Sequence, residues 1–260
     1  MDIRLDGRNA LITGGSRGLG RAMALRFAES GANVAIVARR AEVLAETRAE
    51  IEEVSSGKVV TSAADVSTLE GVTSAFEQAS DALGQIDILV NNAGASAARP
   101  FEQITDAEWQ ADLDLKLFAA IRMIRLAVPG MKERGWGRII NILNTGAKSP
   151  RAGSTPTTVS RAAGLSLTKS LSLEYAADGI LVNALCTGLI VTDQLASMRD
   201  RNAPDNTLEE FQDFMGGRIP LGRMGTAEEY ANVACLLASD AGGYLTGTAI
   251  NIDGGSSPVT

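Results

Sequence analysis

Thr13-Gly14-Gly15-Ser16-Arg17-Gly18-Leu19-Gly20 follows the apolar run Asn9-Ala10-Leu11-Ile12 and opens an alanine-rich helical segment. Glycines at 14, 18 and 20 have no Cβ, so the chain can turn sharply at a strand end, bring backbone N–H groups close to a pyrophosphate, and pack the next helix tightly on a sheet. The positive end of that helix then faces the anion. A ligand-free strand-to-helix turn uses similar glycines; the strand before and the helix after favour a dinucleotide cradle. Cofactor contacts are expected from Gly14, Ser16, Arg17, Gly18, Leu19 and Gly20.

Outward from this turn, short β-rich runs at 33–38, 59–63, 86–90, 138–143, 180–186 and 248–252 each follow a helix-like stretch. That alternation predicts an α/β protein with a doubly wound parallel sheet. The first helix is expected over 21–30, stopped by Gly31. No Pro/Gly/Ser-rich linker divides the 260 residues, so one domain over 1–260 is expected. A hydrophobic fraction of 45% is ample for one core.

Composition excludes several classes. A net charge of −7 argues against a nucleic-acid or anionic-membrane surface. No apolar run reaches the ~18 residues of a membrane helix, and Met1-Asp2-Ile3-Arg4-Leu5 lacks the apolar centre of a signal peptide. Two cysteines, Cys186 and Cys235, are too few for a disulfide framework and suit a reducing cytoplasm. The absence of histidine removes histidine metal sites and Ser-His or Cys-His nucleophiles. No metal is expected.

The second strand ends in Arg39-Arg40, where an acidic residue would accept from ribose hydroxyls. Arg39, with Arg17 from the turn, suits a 2′-phosphate, so NADP is preferred to NAD; the alternative is two solvated arginines at a helix start. Asp65-Val66 follows the third strand, where a carboxylate can meet an adenine amino group or serve as an N-cap. Asn91-Asn92-Ala93-Gly94 ends the fourth.

Taken with the closing Asn251-Ile252-Asp253-Gly254-Gly255, with Ile219-Pro220-Leu221-Gly222-Arg223 and with Leu236-Leu237-Ala238-Ser239-Asp240, these motifs resemble the short-chain dehydrogenase/reductase family over nearly the whole chain. The resemblance implies a seven-stranded Rossmann-type sheet with helices on both faces, assembled as a homotetramer paired through helices 106–134 and 156–177. It also implies that Asn91 braces the sheet, that Asn92, Ala93 and Gly94 lie along the cofactor, that Gly188 and Thr192 border the nicotinamide, and that a segment at about 189–217 covers the substrate. That segment contains Asp200-Arg201-Asn202-Ala203-Pro204-Asp205-Asn206, read as a polar, mobile turn region.

The reaction half departs from the family pattern. Members usually carry Asn, Ser and Tyr-x-x-x-Lys; the matching positions here hold Lys116, Asn144, Thr157 and Arg161. An aliphatic alcohol is a far weaker acid than a phenol of pKa ~10, and Arg161 cannot release a proton. Losing a positioned acid/base typically forfeits about 10² to 10⁴ in rate. Lys116 shares a helical stripe with Trp109, Leu113, Ala120 and Ile124, so burial would depress its pKa and suit it to proton transfer or nucleophilic attack; otherwise it braces backbone carbonyls or snorkels. Thr157 and Arg161, four apart, share a face on which Arg161 can clamp a carboxylate or phosphate, and Asn144 can donate to an oxyanion. Lys148 and Arg151 read as a solvated loop, and Cys186 as a small buried thiol.

Three functions remain open at this level. The foremost is an NADP-dependent oxidoreductase acting on a small carbonyl or hydroxyl compound, with Lys116 in the tyrosine's place as proton carrier. A non-redox lyase or hydrolase acting on an anionic substrate and a catalytically silent nucleotide-binding homologue are the others. The expected partners are a small molecule, with an anionic one among the candidates, and further copies of the chain in a dimer or tetramer.

Overall fold

The computed structural model describes residues 3–260, with the side chains of all of these except residues 194, 197, 201 and 202. The N-terminal expectation rests partly on Met1 and Asp2, which lie outside the described residues. Seven parallel strands form one sheet in the order β3-β2-β1-β4-β5-β6-β7, with β1 at Asn9–Thr13, β2 at Asn33–Ala38, β3 at Val59–Ala63, β4 at Ile88–Asn91, β5 at Gly137–Asn144, β6 at Ile180–Thr187 and β7 at Ala249–Ile252. The Rossmann-type α/β architecture is therefore as the sequence implies. The order reverses between β1 and β4, and such a switch point opens a crevice at the strands' carboxyl ends.

Helices cover both faces, which is why the central strands are apolar on both sides. On one face, α1 (Gly18–Glu29), α2 (Ala41–Val54) and α9 (Ala227–Ala238) pack Met23, Phe27, Leu44, Ile51 and Tyr230 against Ile12, Ile36, Val90 and Leu185. On the other, α3 (Leu69–Leu83), α5 (Ala119–Arg134) and α6 (Thr157–Tyr175) pack Val72, Met123, Ile124, Leu167 and Leu171 against Leu11, Val37, Leu89 and Ile139.

Several boundaries differ from expectation. α1 begins at Gly18 rather than residue 21, because the turn glycines themselves enter the first turn. α4 (Asp106–Leu113) runs into α5 through a π-helical turn, Asp114–Phe118, which shifts the buried face by one residue. As a result Asp112 and Lys116 are buried, while Trp109 and Leu113 are only partly so. The segment read as turn-rich is helical at its start: α7 spans Gln194–Asn202, and α8 follows at Leu208–Gly216.

Candidate active site

The site assembles where β1, β4, β5 and β6 end. Thr13 closes β1, and its Oγ1 accepts from the backbone N–H groups of Asn92 and Ala93, both at 3.0 Å, tying the fourth strand's end to the glycine turn. Asn92 Nδ2 donates to the carbonyls of Thr13 (2.9 Å) and Gly14 (3.0 Å). Asn92 therefore braces the turn with its side chain. Asn91 Nδ2 donates to Asn141 Oδ1 at 2.9 Å, joining β4 to β5 as the resemblance implies.

Gly14 and Gly18 have φ of +64° and +52°, in the left-handed region that favours glycine. A Cβ on Gly20 would collide with the Gly14 carbonyl oxygen. The start of α1 has no side-chain cap and no acidic residue in its first turn. By contrast, α3, α4, α8 and α9 are capped by Thr68, Thr105, Thr207 and Thr226. Orphan N–H groups and the positive end of the helix dipole are thus left facing outward at the glycine turn, a donor set suited to a pyrophosphate. The carbonyl of Ser16 is held from behind by Thr47 Oγ1 at 2.8 Å. Leu19 packs partly buried on the α1 face, and Thr192 stands across from Gly18.

Arg17 and Arg39 are both exposed, and Arg39 lies near enough to Asp65 to help lower its pKa. The larger cause there is the Ser67 backbone N–H, which donates to Asp65 Oδ1 at 3.0 Å. Asp65 is not the α3 cap; Thr68 is. Val66 is buried in the core. Gly188, after β6, leaves room for Asp253, onto which a Cβ would intrude.

Of the four positions set against the family pattern above, Lys116, Thr157 and Arg161 are drawn together. Lys116 is buried, with its Nζ bonded to Asp112 Oδ1 and, at 3.1 Å, to Thr157 Oγ1. Thr157 Oγ1 also accepts from the Ala97 N–H at 2.9 Å, and Asp112 Oδ2 accepts from Ser160 Oγ at 2.6 Å. Burial pushes the Lys116 ammonium below its usual range, and Asp112 opposes that shift. The sequence pattern does not single out Asp112 or Ser160, although Asp112 stands four residues before Lys116, the spacing of a helical ion pair.

Asn144 Oδ1 accepts from the Ala147 N–H at 3.1 Å, leaving its amide N–H groups to donate. Arg161 gives Nη1 to the Ile142 carbonyl, while its Nε is buried without a partner and its Nη2 lies against Gly94. Lys148 is not a solvated loop residue: its Nζ donates to the Ala249 carbonyl at 2.6 Å. Arg151 is exposed and Cys186 is a fully buried free thiol, as expected. Among the described residues, no His/Cys/Asp/Glu group is placed to hold a metal, and no helix is long and apolar enough to cross a membrane.

A family model described as enoyl-(acyl carrier protein) reductase matches residues 14–257. The 3-oxoacyl-(acyl-carrier-protein) reductase of Aquifex aeolicus is 32% identical, covering 98% of this chain and 99% of that protein. An acetoacetyl-CoA reductase of Rhizobium meliloti is 36% identical over 95% and 98% respectively. Among solved structures, the L-sorbose reductase of Gluconobacter frateurii, complexed with NADPH and L-sorbose, superposes with a TM-score of 0.96 at 34% identity, each chain covered in full (100%).

Proposed function

Because the chain belongs to the short-chain dehydrogenase/reductase family, we propose that it is an NADP-dependent oxidoreductase of a small carbonyl or hydroxyl compound whose proton comes from Lys116 through Thr157. The uncapped α1 start and the glycine turn fit the pyrophosphate, and Arg17 and Arg39 fit a 2′-phosphate. The NADPH complex of the sorbose reductase supports the same choice. The bound nicotinamide supplies or accepts a hydride.

The observation that carries the proton route is the bonding of Thr157. Its Oγ1 accepts from Lys116 Nζ and from the Ala97 N–H, so both lone pairs are engaged and its own hydrogen points out of the network. In the reducing direction, Thr157 gives that proton to the substrate oxygen and takes one from the Lys116 ammonium. A threonine hydroxyl and a product alkoxide have similar basicity, so the relay needs no strongly acidic side chain of its own. Asp112 holds the ammonium in place between turnovers, and Asn144 is set to donate to the same substrate oxygen.

The test is NADPH oxidation at 340 nm against a panel of small carbonyl compounds. Lys116→Met is expected to lower kcat by about 10² or more with NADPH affinity retained; unimpaired hydride transfer would refute the lysine's role. The same reading places 189–217 over the substrate, treats 1–260 as one domain, and puts a homotetramer in the cytoplasm. The exposed Phe118, Val159 and Leu173 on the pairing helices, and the two unpaired cysteines, support these assignments.

A further inference from the structure

Arg161 is out of balance with its surroundings. Lys116 has Asp112, and both Asp253 carboxylate oxygens accept from backbone N–H groups, of Gly255 at 2.9 Å and Ser257 at 2.8 Å. Among the described residues Arg161 forms no ion pair; its one bond runs from Nη1 to the Ile142 carbonyl. The nearby Lys148 is likewise bonded only to a carbonyl. Although the chain carries a net charge of −7, no carboxylate among the described residues is bonded to Arg161. A guanidinium removed from water without an anion is costly, and burial pushes its pKa down.

The geometry of the remaining donors narrows the anion. With Nη1 committed, Nε and Nη2 form the side-on edge of the guanidinium, two parallel N–H groups spaced for the two oxygens of a carboxylate. Nε is the buried, partnerless one. Nη2 stands against Gly94, where an added Cβ would lie 2.6 Å from it and 3.5 Å from Lys116 Cγ, so only a glycine here lets the guanidinium edge take up this place beside Lys116. Thr157, one helical turn before Arg161, accepts two hydrogen bonds, which leaves its hydroxyl hydrogen to donate to a further group.

Resting on the oxidoreductase reading above, we propose that the substrate is a short oxo acid or its hydroxy acid, with its carboxylate on the Nε/Nη2 edge of Arg161 and its carbonyl oxygen at Thr157. The cofactor's phosphates are drawn to the α1 start and its arginines, and leave Arg161 unneutralised.

Oxamate, a stable analogue of a 2-oxo acid, is the probe, with ethyl oxamate as its neutral counterpart. Each is titrated calorimetrically into the wild-type protein, with and without NADP. Oxamate is expected to bind in the millimolar range or tighter and at least about tenfold better than the ester. Arg161→Met is expected to abolish that preference and Arg161→Lys, which keeps charge but not the fork, to weaken it. Arg151→Gln, which removes an exposed charge of the same sign, is expected to keep it. Equal binding of acid and ester, no oxamate binding, or an unchanged preference in a folded Arg161 variant would overturn the assignment. NADP is titrated separately into the same protein; absence of its binding would instead count against the oxidoreductase reading, while the acid–ester comparison without nucleotide would still be decided.

Discussion

At the scale of single residues, the candidate site holds a buried network in which each charged or polar group depends on another. Lys116 alone would be an unpaired buried ammonium; Asp112 neutralises it and in turn accepts from Ser160. Removing one partner of such a pair leaves a buried charge, at a cost of about 3–5 kcal/mol, whereas replacing both with apolar groups costs far less. Asp112→Asn and Lys116→Met are each expected to lower stability to urea by amounts in that range. The double variant Asp112→Leu/Lys116→Met should recover at least half of the summed loss, because the coupling between the pair is removed with it. Strictly additive losses would show that the two do not act as a pair. Lys116, Thr157 and Arg161 are picked out in the sequence by comparison with a family motif, but their partners are not. Asp112 is one acidic residue among many until the π turn rotates it inward with Lys116.

At the scale of elements, the helix ends separate structural from functional roles. α9 is closed by a capping box in which the Thr226 hydroxyl accepts from the Glu229 N–H and Glu229 accepts from the Thr226 N–H. Arg223, and then the Thr226 N–H, hold the Glu229 carboxyl down at about 2, against an ordinary 4.5. The folded pKa lies below the unfolded one, so ionised Glu229 stabilises the fold above the ordinary carboxylate range and loses that contribution as pH falls toward about 2. Glu229→Gln is expected to flatten the acid limb of the melting-temperature profile over this window. The effect should shrink in high salt, since the pair is exposed.

The α1 start is built in the opposite way, with glycine backbone in place of a cap. Gly20→Ala drives a methyl group into the Gly14 carbonyl, so NADPH affinity measured by fluorescence is expected to fall at least about tenfold, with the far-UV spectrum little changed. The Thr226 cap and the glycine turn are both legible in sequence, because local backbone chemistry decides them. The extent of α7 was not, since a run containing Asn202, Ala203 and Pro204 satisfies turn rules and helix-end rules alike.

At the scale of the whole molecule, the reversal of strand order between β1 and β4 places the phosphate cradle beside the network of Lys116, Thr157 and Arg161. The π turn and α6 keep Phe118, Val159 and Leu173 exposed, Leu173 at 71% of its free surface, on the elements proposed above to pair copies of the chain. Leu173→Glu is therefore expected to shift the assembly measured by light scattering toward smaller species, without a matching loss of secondary structure. An unchanged mass would place the interface elsewhere.

The sequence by itself determined the alternation of strand and helix and the glycine turn, because these depend on local periodicity and on the φ values open to glycine. Only the tertiary structure decided that Asp112 neutralises Lys116, that both lone pairs of Thr157 are engaged, and that Arg161 keeps an unpaired edge. Those outcomes depend on which buried charges the packing of α4 and the π turn against α6 brings within bonding distance, and residues 41 or 48 positions apart carry no mark of that meeting in their order.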